Sequence, residues 1–171
     1  MAETFIGFHG TTAENAKEII KTRYFKYSMD DEEWLGEGVY FFEKDIKQAY
    51  YYCVKAKKYT NWTILKSKIV CNVFWDLTLT DHVEEFQKIA KLFKDRYHKR
   101  KDGRPRKLMN AVVFNAMYKL KPFDIIRAPF PVPKGYVVQR TNIVPIHIQL
   151  CVRNSECICK DSIEEVSYNG H

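Results

Sequence analysis

The 171-residue sequence predicts an α+β fold: one domain over residues 1–171, with a split, mostly antiparallel β-sheet core flanked by helices. Three observations lead there. Apolar residues make up 46% of the chain and include 11 Phe, 11 Tyr and 3 Trp, which is ample material for one core and no composition for disorder. Apolar residues recur at helical steps in some stretches, whereas others are short runs rich in β-branched and aromatic residues. No internal repeat, linker or low-complexity tract divides the chain.

The elements follow in order. Residues 4–9 alternate loosely through Phe5, Ile6 and Phe8 and read as a strand ending at His9-Gly10. Thr11-Thr12-Ala13-Glu14 is a capping-box pattern, with the Thr11 hydroxyl accepting from the Glu14 amide. Ala16, Ile19 and Ile20 then form the apolar face of a helix over 12–22. Gly36-Glu37-Gly38 punctuates the chain before Val39-Tyr40-Phe41-Phe42, a strand apolar enough to be buried on both sides. Asp45 caps a second helix, which places Ile46, Ala49, Tyr50, Cys53 and Val54 on one face.

Residues 62–78 hold Ile64, Ile69, Val70, Val73 and Phe74 and fit a strand or a bent strand pair. Phe86, Ile89, Ala90, Phe93 and Tyr97 mark a helix from about residue 81. Met109, Val112, Val113, Ala116, Met117 and Leu120 mark another. Strands return at 124–128, 135–138 and 146–152, with Pro129, Pro131 and Pro133 marking an intervening turn.

Several function classes are disfavoured. No apolar run is long enough to span a bilayer, the first residues lack a signal-peptide pattern, and five irregularly spaced cysteines suit reduced thiols, so the expected location is the cytoplasm, with no membrane partner. His147, Cys151, Cys157 and Cys159 are zinc-type ligands by identity, but Cys157-x-Cys159 lacks the usual two-residue knuckle spacing, and no metal is expected.

Charge is uneven. The chain carries 28 Lys and Arg against 21 Asp and Glu, a net +7, and residues 94–107 alone hold eight basic and two acidic residues, a local +6. One reading is a solvated helix end and loop. The other, slightly favoured, is a surface for single-stranded nucleic acid: Arg96, Lys99, Arg100, Lys101, Arg104 and Arg106 would contact phosphates beside the rings of Tyr97 and His98.

Three features carry chemistry: His9-Gly10-Thr11 at a strand end, Gly36-x-Gly38-x-Tyr40-Phe41 entering a second strand, and His147-Ile148-Gln149 entering a third. Each sets a polar side chain beside glycine or on an otherwise apolar strand, where it needs a partner and where a ligand can approach the backbone closely.

Together these motifs resemble the His-Tyr-Glu branch of the ADP-ribosyltransferase superfamily, which includes diphtheria toxin and the poly(ADP-ribose) polymerases. The resemblance implies the fold of that family and NAD⁺ as co-substrate. It implies that His9 hydrogen-bonds the adenosine ribose, that the Gly10 backbone pairs with the nicotinamide carboxamide, and that Tyr40 and Tyr51 stack on the ring. Thr11 and Gly38 belong to the same motifs, Ser28 is expected near the site, and Gln48 stands where the polymerases use serine. Gln149 stands where they have the glutamate that grips the nicotinamide ribose and stabilises its cationic transition state.

A neutral amide there implies mono-ADP-ribosylation of a macromolecule, RNA slightly before protein, with His9, Tyr40 and Gln149 as the catalytic set. Glu37 or His147 is a candidate to deprotonate the acceptor. A NAD⁺ glycohydrolase and a catalytically silent NAD⁺- or RNA-binding module remain the alternatives. Small transferases of this kind resemble toxins of bacterial and phage conflict systems, which implies a neutralising antitoxin-like partner.

Overall fold

A computed structural model describes residues 2–29, 33–96, 110–133 and 142–169, with no account of the side chains of 94–96. The basic surface expected at Arg96, Lys99, Arg100, Lys101, Arg104 and Arg106 therefore lies outside the described side chains, and the strand expected over 135–138 lies outside the described residues.

Among the described residues, seven strands form one open sheet: β1 (Glu3–Thr12), β2 (Val39–Glu43), β3 (Trp62–Cys71), β4 (Phe74–Asp76), β5 (Ile125–Pro131), β6 (Ile146–Val152) and β7 (Glu164–Val166). Their order across the sheet is β4-β5-β6-β2-β1-β3-β7. All pairings are antiparallel except β4 with β5. The helices are α1 (Ala13–Thr22), α2 (Ile46–Tyr51), α3 (Thr80–Arg96) and α4 (Asn110–Leu120). The parallel pair is joined through α3 and α4, the helical crossover that parallel neighbours need. The α+β class and the mostly antiparallel sheet are as expected from the sequence.

The sheet is continuous and not split as expected, because β1 and β2 still pair, though briefly. β1 pairs with β3 over ten positions, from Glu3↔Cys71 to Thr12↔Trp62, but with β2 only at Gly7↔Glu43 and Phe8↔Phe42. Beyond Phe8 the β1–β2 ladder stops.

Alternation along the strands divides the core in two. Phe5, Phe25, Val39, Phe41, Leu150 and Val152 pack with Ala16 and Ile19 of α1. Leu35, Ile126, Ala128 and Cys151 pack with Val113, Phe114 and Met117 of α4, and Phe86 stacks on Phe114 at 4.4 Å between centroids.

Local chemistry shifts several boundaries. The first helix is capped by Thr12 rather than Thr11: β1 runs through Thr12, whose hydroxyl accepts from the Asn15 amide at 3.2 Å. Asp45 caps α2 as expected, accepting from the Gln48 amide at 3.1 Å. The chain then widens into a π-turn over Tyr52–Ala56, so the inward residues are Gln48, Ala49 and Cys53 instead of the face set by Ile46, Tyr50 and Val54.

The bent pair at 62–78 is two strands in different parts of the sheet. Pro129 and Pro131 sit inside β5 and not in a turn, opposite Ile148 and Ile146. β4 covers the other edge of β5 only as far as Arg127, so prolines two residues apart, lacking N–H groups, face an edge that no described strand pairs with. No described helix is long and apolar enough to cross a membrane.

Asp124 holds the crossing from β3 to β4 against the end of β6. Its carboxylate accepts from the amides of Asn72 and Val73 at 2.9 and 3.0 Å and from Asn154 Nδ2 at 2.9 Å. Burial pushes its pKa up, but these bonds outweigh burial and hold it below the usual carboxylate value. A depressed acid contributes stability above its unfolded value, and that contribution is lost as pH falls through the folded value. Asp124→Ala is therefore expected to cost about 1–3 kcal/mol near neutral pH. The gap to the wild type, read by thermal unfolding, should close below about pH 4. A gap that persists in acid would assign the loss to packing.

Candidate active site

A cavity of about 430 Å³ opens where β1 and β2 part. Its size falls within the usual range for small-molecule sites. Three walls enclose it. β2 and β6 contribute Tyr40, Phe42, His147 and Gln149; α2 and its π-turn contribute Gln48, Tyr52, Ala56 and Lys57; the segment before β2 contributes Lys26, Ser28, Glu33, Trp34 and Gly38. His9 and Gly10 close the inner end.

Strand register explains the sheet wall. Phe42 lies opposite Gln149 and Tyr40 opposite Cys151, so Tyr40, Phe42, Gln149 and His147 share one face by alternation. His9 is on the other face, against Phe25 and Phe41 at 5.2 and 5.6 Å between centroids. It reaches the cavity because the ladder is open there. Where a β1 amide would have met the Tyr40 carbonyl, His9 Nδ1 bonds it at 2.8 Å.

A carbonyl only accepts, so Nδ1 carries the proton and neutral His9 keeps Nε2 as an acceptor. Burial lowers the His9 pKa, more than the Tyr40 carbonyl raises it, and favours that neutral form.

Tyr40 fixes the segment before β2. Its hydroxyl donates to the Gly36 carbonyl at 2.6 Å and accepts from the Leu35 amide at 3.0 Å. Burial, then the neighbouring Cys151 thiol, raises the phenol pKa. Gly36 adopts φ 86°, a conformation that glycine takes freely, and its amide neighbour Glu37 donates to Asn115 Oδ1 at 3.0 Å. Ser28 and Gly38 exchange backbone bonds of 2.8 and 3.1 Å, closing the base of the loop. The Ser28 hydroxyl donates to Glu33 Oε1 at 2.7 Å.

On the sheet wall the Gln149 amide lies 2.9 Å from His147 Nε2. His147 is only 6% exposed and packs on Phe42 at 5.3 Å. Burial lowers its pKa, against a smaller raising effect of Asp45, which favours a neutral ring. Its buried Nδ1 has no hydrogen-bond partner among the described residues.

The structure thus brings His9, Gly10, Ser28, Gly38, Tyr40, Gln48 and Gln149 to one cavity, although 140 residues separate the first from the last. Two expected residues are placed elsewhere. Thr11 is buried beside Asn15, whose Nδ2 reaches its hydroxyl at 3.4 Å. Tyr51 lies on the outer side of α2, with Lys55 Nζ 4.5 Å and Lys47 Nζ 5.6 Å from its ring centre. Tyr52 lines the cavity in its stead, because Gln48 faces inward and one turn on from it is residue 52.

Of the two candidate bases, His147 lines the cavity. Glu37 instead points to Arg153, at 4.0 Å. Sequence reasoning missed Glu33, Trp34, Lys26 and Lys57; none belongs to a motif, and what unites them is loop closure by the Ser28–Gly38 bridge and the turn after α2. No His, Cys, Asp or Glu group of three or more gathers as a metal-ligand set among the described residues.

No family model matches the chain, and no solved structure matches it. It is similar to the uncharacterized protein MJ0359 of Methanocaldococcus jannaschii, with 29% identity over 180 aligned positions that take in 90% of this chain and 84% of that one.

Proposed function

We propose that the chain is a mono-ADP-ribosyltransferase that binds NAD⁺ in this cavity and transfers ADP-ribose to a macromolecule, nucleic acid before protein. One observation carries the reading: seven residues singled out by resemblance, from five separate segments, line a single cavity of ligand size. The chemical character of the walls agrees. Tyr40, Phe42 and Tyr52 offer aromatic faces for a planar cationic ring, His9 Nε2 offers an acceptor for a ribose hydroxyl, and Lys26 and Lys57 offer cations for phosphates.

NAD⁺ would supply the reactive glycosidic bond and a good leaving group. The protein's part is to hold it folded, exclude water and present an acceptor to the ribose carbon, so positioning and electrostatics outweigh any nucleophile of its own. His147 remains the candidate to take the acceptor's proton, through the Nε2 that here accepts from the Gln149 amide.

The test is to incubate the purified chain with NAD⁺, total RNA and total protein, and to read nicotinamide release and added mass. ADP-ribose on RNA supports the full reading, and ADP-ribose on protein supports transfer while moving the basic segment to the solvated role. Nicotinamide release without a modified macromolecule identifies a glycohydrolase. Binding without release identifies a silent module.

A further inference from the structure

We propose that Glu33 is the catalytic carboxylate of this site, delivered from the loop before β2 instead of from the strand that carries Gln149. The proposal rests on the NAD⁺ reading above and names the group that answers the missing acid at position 149.

The need is chemical. In the transfer, the bond between the ribose carbon and the pyridinium nitrogen breaks and its electron pair moves to that nitrogen, releasing neutral nicotinamide. Positive charge grows on the ribose carbon until an acceptor oxygen or nitrogen donates a lone pair to form the new bond and gives up its proton. An anionic side chain in a water-poor cavity is the group best suited to stabilise that charge. Gln149 is neutral, and its amide is engaged with His147 at 2.9 Å.

Among the described residues that line the cavity, Glu33 is the one carboxylate. It is also held in place. The Ser28 hydroxyl bonds its Oε1 at 2.7 Å, Ser28 is itself bridged to Gly38, and Leu35, two residues on, is 1% exposed with its amide on the Tyr40 hydroxyl. Its charge is felt on the other two walls: after burial, it is among the influences that push up the Tyr40 and Tyr52 phenols and the Cys151 thiol, the last to about 12. These groups belong to β2, the π-turn and β6, and Glu33 lines the cavity that those elements border.

Glu33→Gln keeps size and the Ser28 bond while removing the charge. Nicotinamide release is expected to fall about 10²- to 10³-fold, the usual loss when one electrostatic stabiliser is removed. NAD⁺ affinity, read by calorimetry on the same preparation, should stay near the wild-type value, which also shows that the variant is folded. Adding Gln149→Glu to Glu33→Gln returns a carboxylate from the sheet wall and is expected to recover part of the loss. A Glu33→Gln variant that releases nicotinamide at the wild-type rate overturns the assignment and leaves the transferase reading standing. A wild-type chain that neither binds nor cleaves NAD⁺ overturns both.

Discussion

Gly10→Ala is expected to destabilise the protein at the upper end of about 1–3 kcal/mol, the range for overpacking a filled interior. A methyl group there would lie 2.6 Å from the Ala49 carbonyl oxygen and 2.6 Å from Cys53 Sγ. Both are too close for contact, and the first is helix backbone that no side-chain rotation can move. The sign is diagnostic, because glycine-to-alanine changes in open space stabilise by about 0.4–1 kcal/mol through the unfolded chain.

Urea unfolding should show a lower midpoint with the same slope. Cys53→Ala in the same chain removes one of the two clashes, so the double variant should lose less than the sum of the single changes. A Gly10→Ala midpoint equal to that of the wild type would mean that α2 is not seated on β1. Such seating has a consequence for function, since the residues that close the cavity from above, Gln48 and Tyr52, ride on that helix and its π-turn.

The same contact shows what could be read from sequence. Gly10 was legible as a place of close approach, but the approaching group is helix backbone as well as the cavity. Elements with strong local signals emerged where expected: the Asp45 cap, the apolar strand at Val39–Glu43 and the β-branched run of β6 are each decided by residues adjacent in sequence.

What escaped was set by partners distant in sequence. Pro129 and Pro131 read as turn residues, and only the short reach of β4 makes an open edge that accepts them in a strand. The π-turn after Tyr51 shifts the inward face, and nothing in the spacing of Ile46, Tyr50 and Val54 announces it. The motif residues were legible as a group because resemblance ties them together. Glu33 was not, because its place depends on a bridge between Ser28 and Gly38 that a linear reading does not close.

Tyr40 joins fold and site, and two substitutions separate its roles. Tyr40→Phe keeps the ring and deletes the oxygen that bonds the Gly36 carbonyl and the Leu35 amide, both on buried residues. Leaving those groups without their partner is expected to cost about 1–3 kcal/mol in thermal unfolding. The loop that carries Glu33 would then lose its tie to β2, so, on the proposed NAD⁺ reading, kcat for nicotinamide release should fall while KM for NAD⁺, set by the retained ring, changes little.

Tyr40→Ala removes the ring as well. The loss should rise to about 3–5 kcal/mol, as for other large aromatic truncations. KM should then rise along with the fall in kcat, because one aromatic face of the cavity is gone. If Tyr40→Phe instead raises KM and leaves both melting and kcat unchanged, the hydroxyl contacts ligand and not the loop, and the route by which Glu33 is held must run through Ser28 alone.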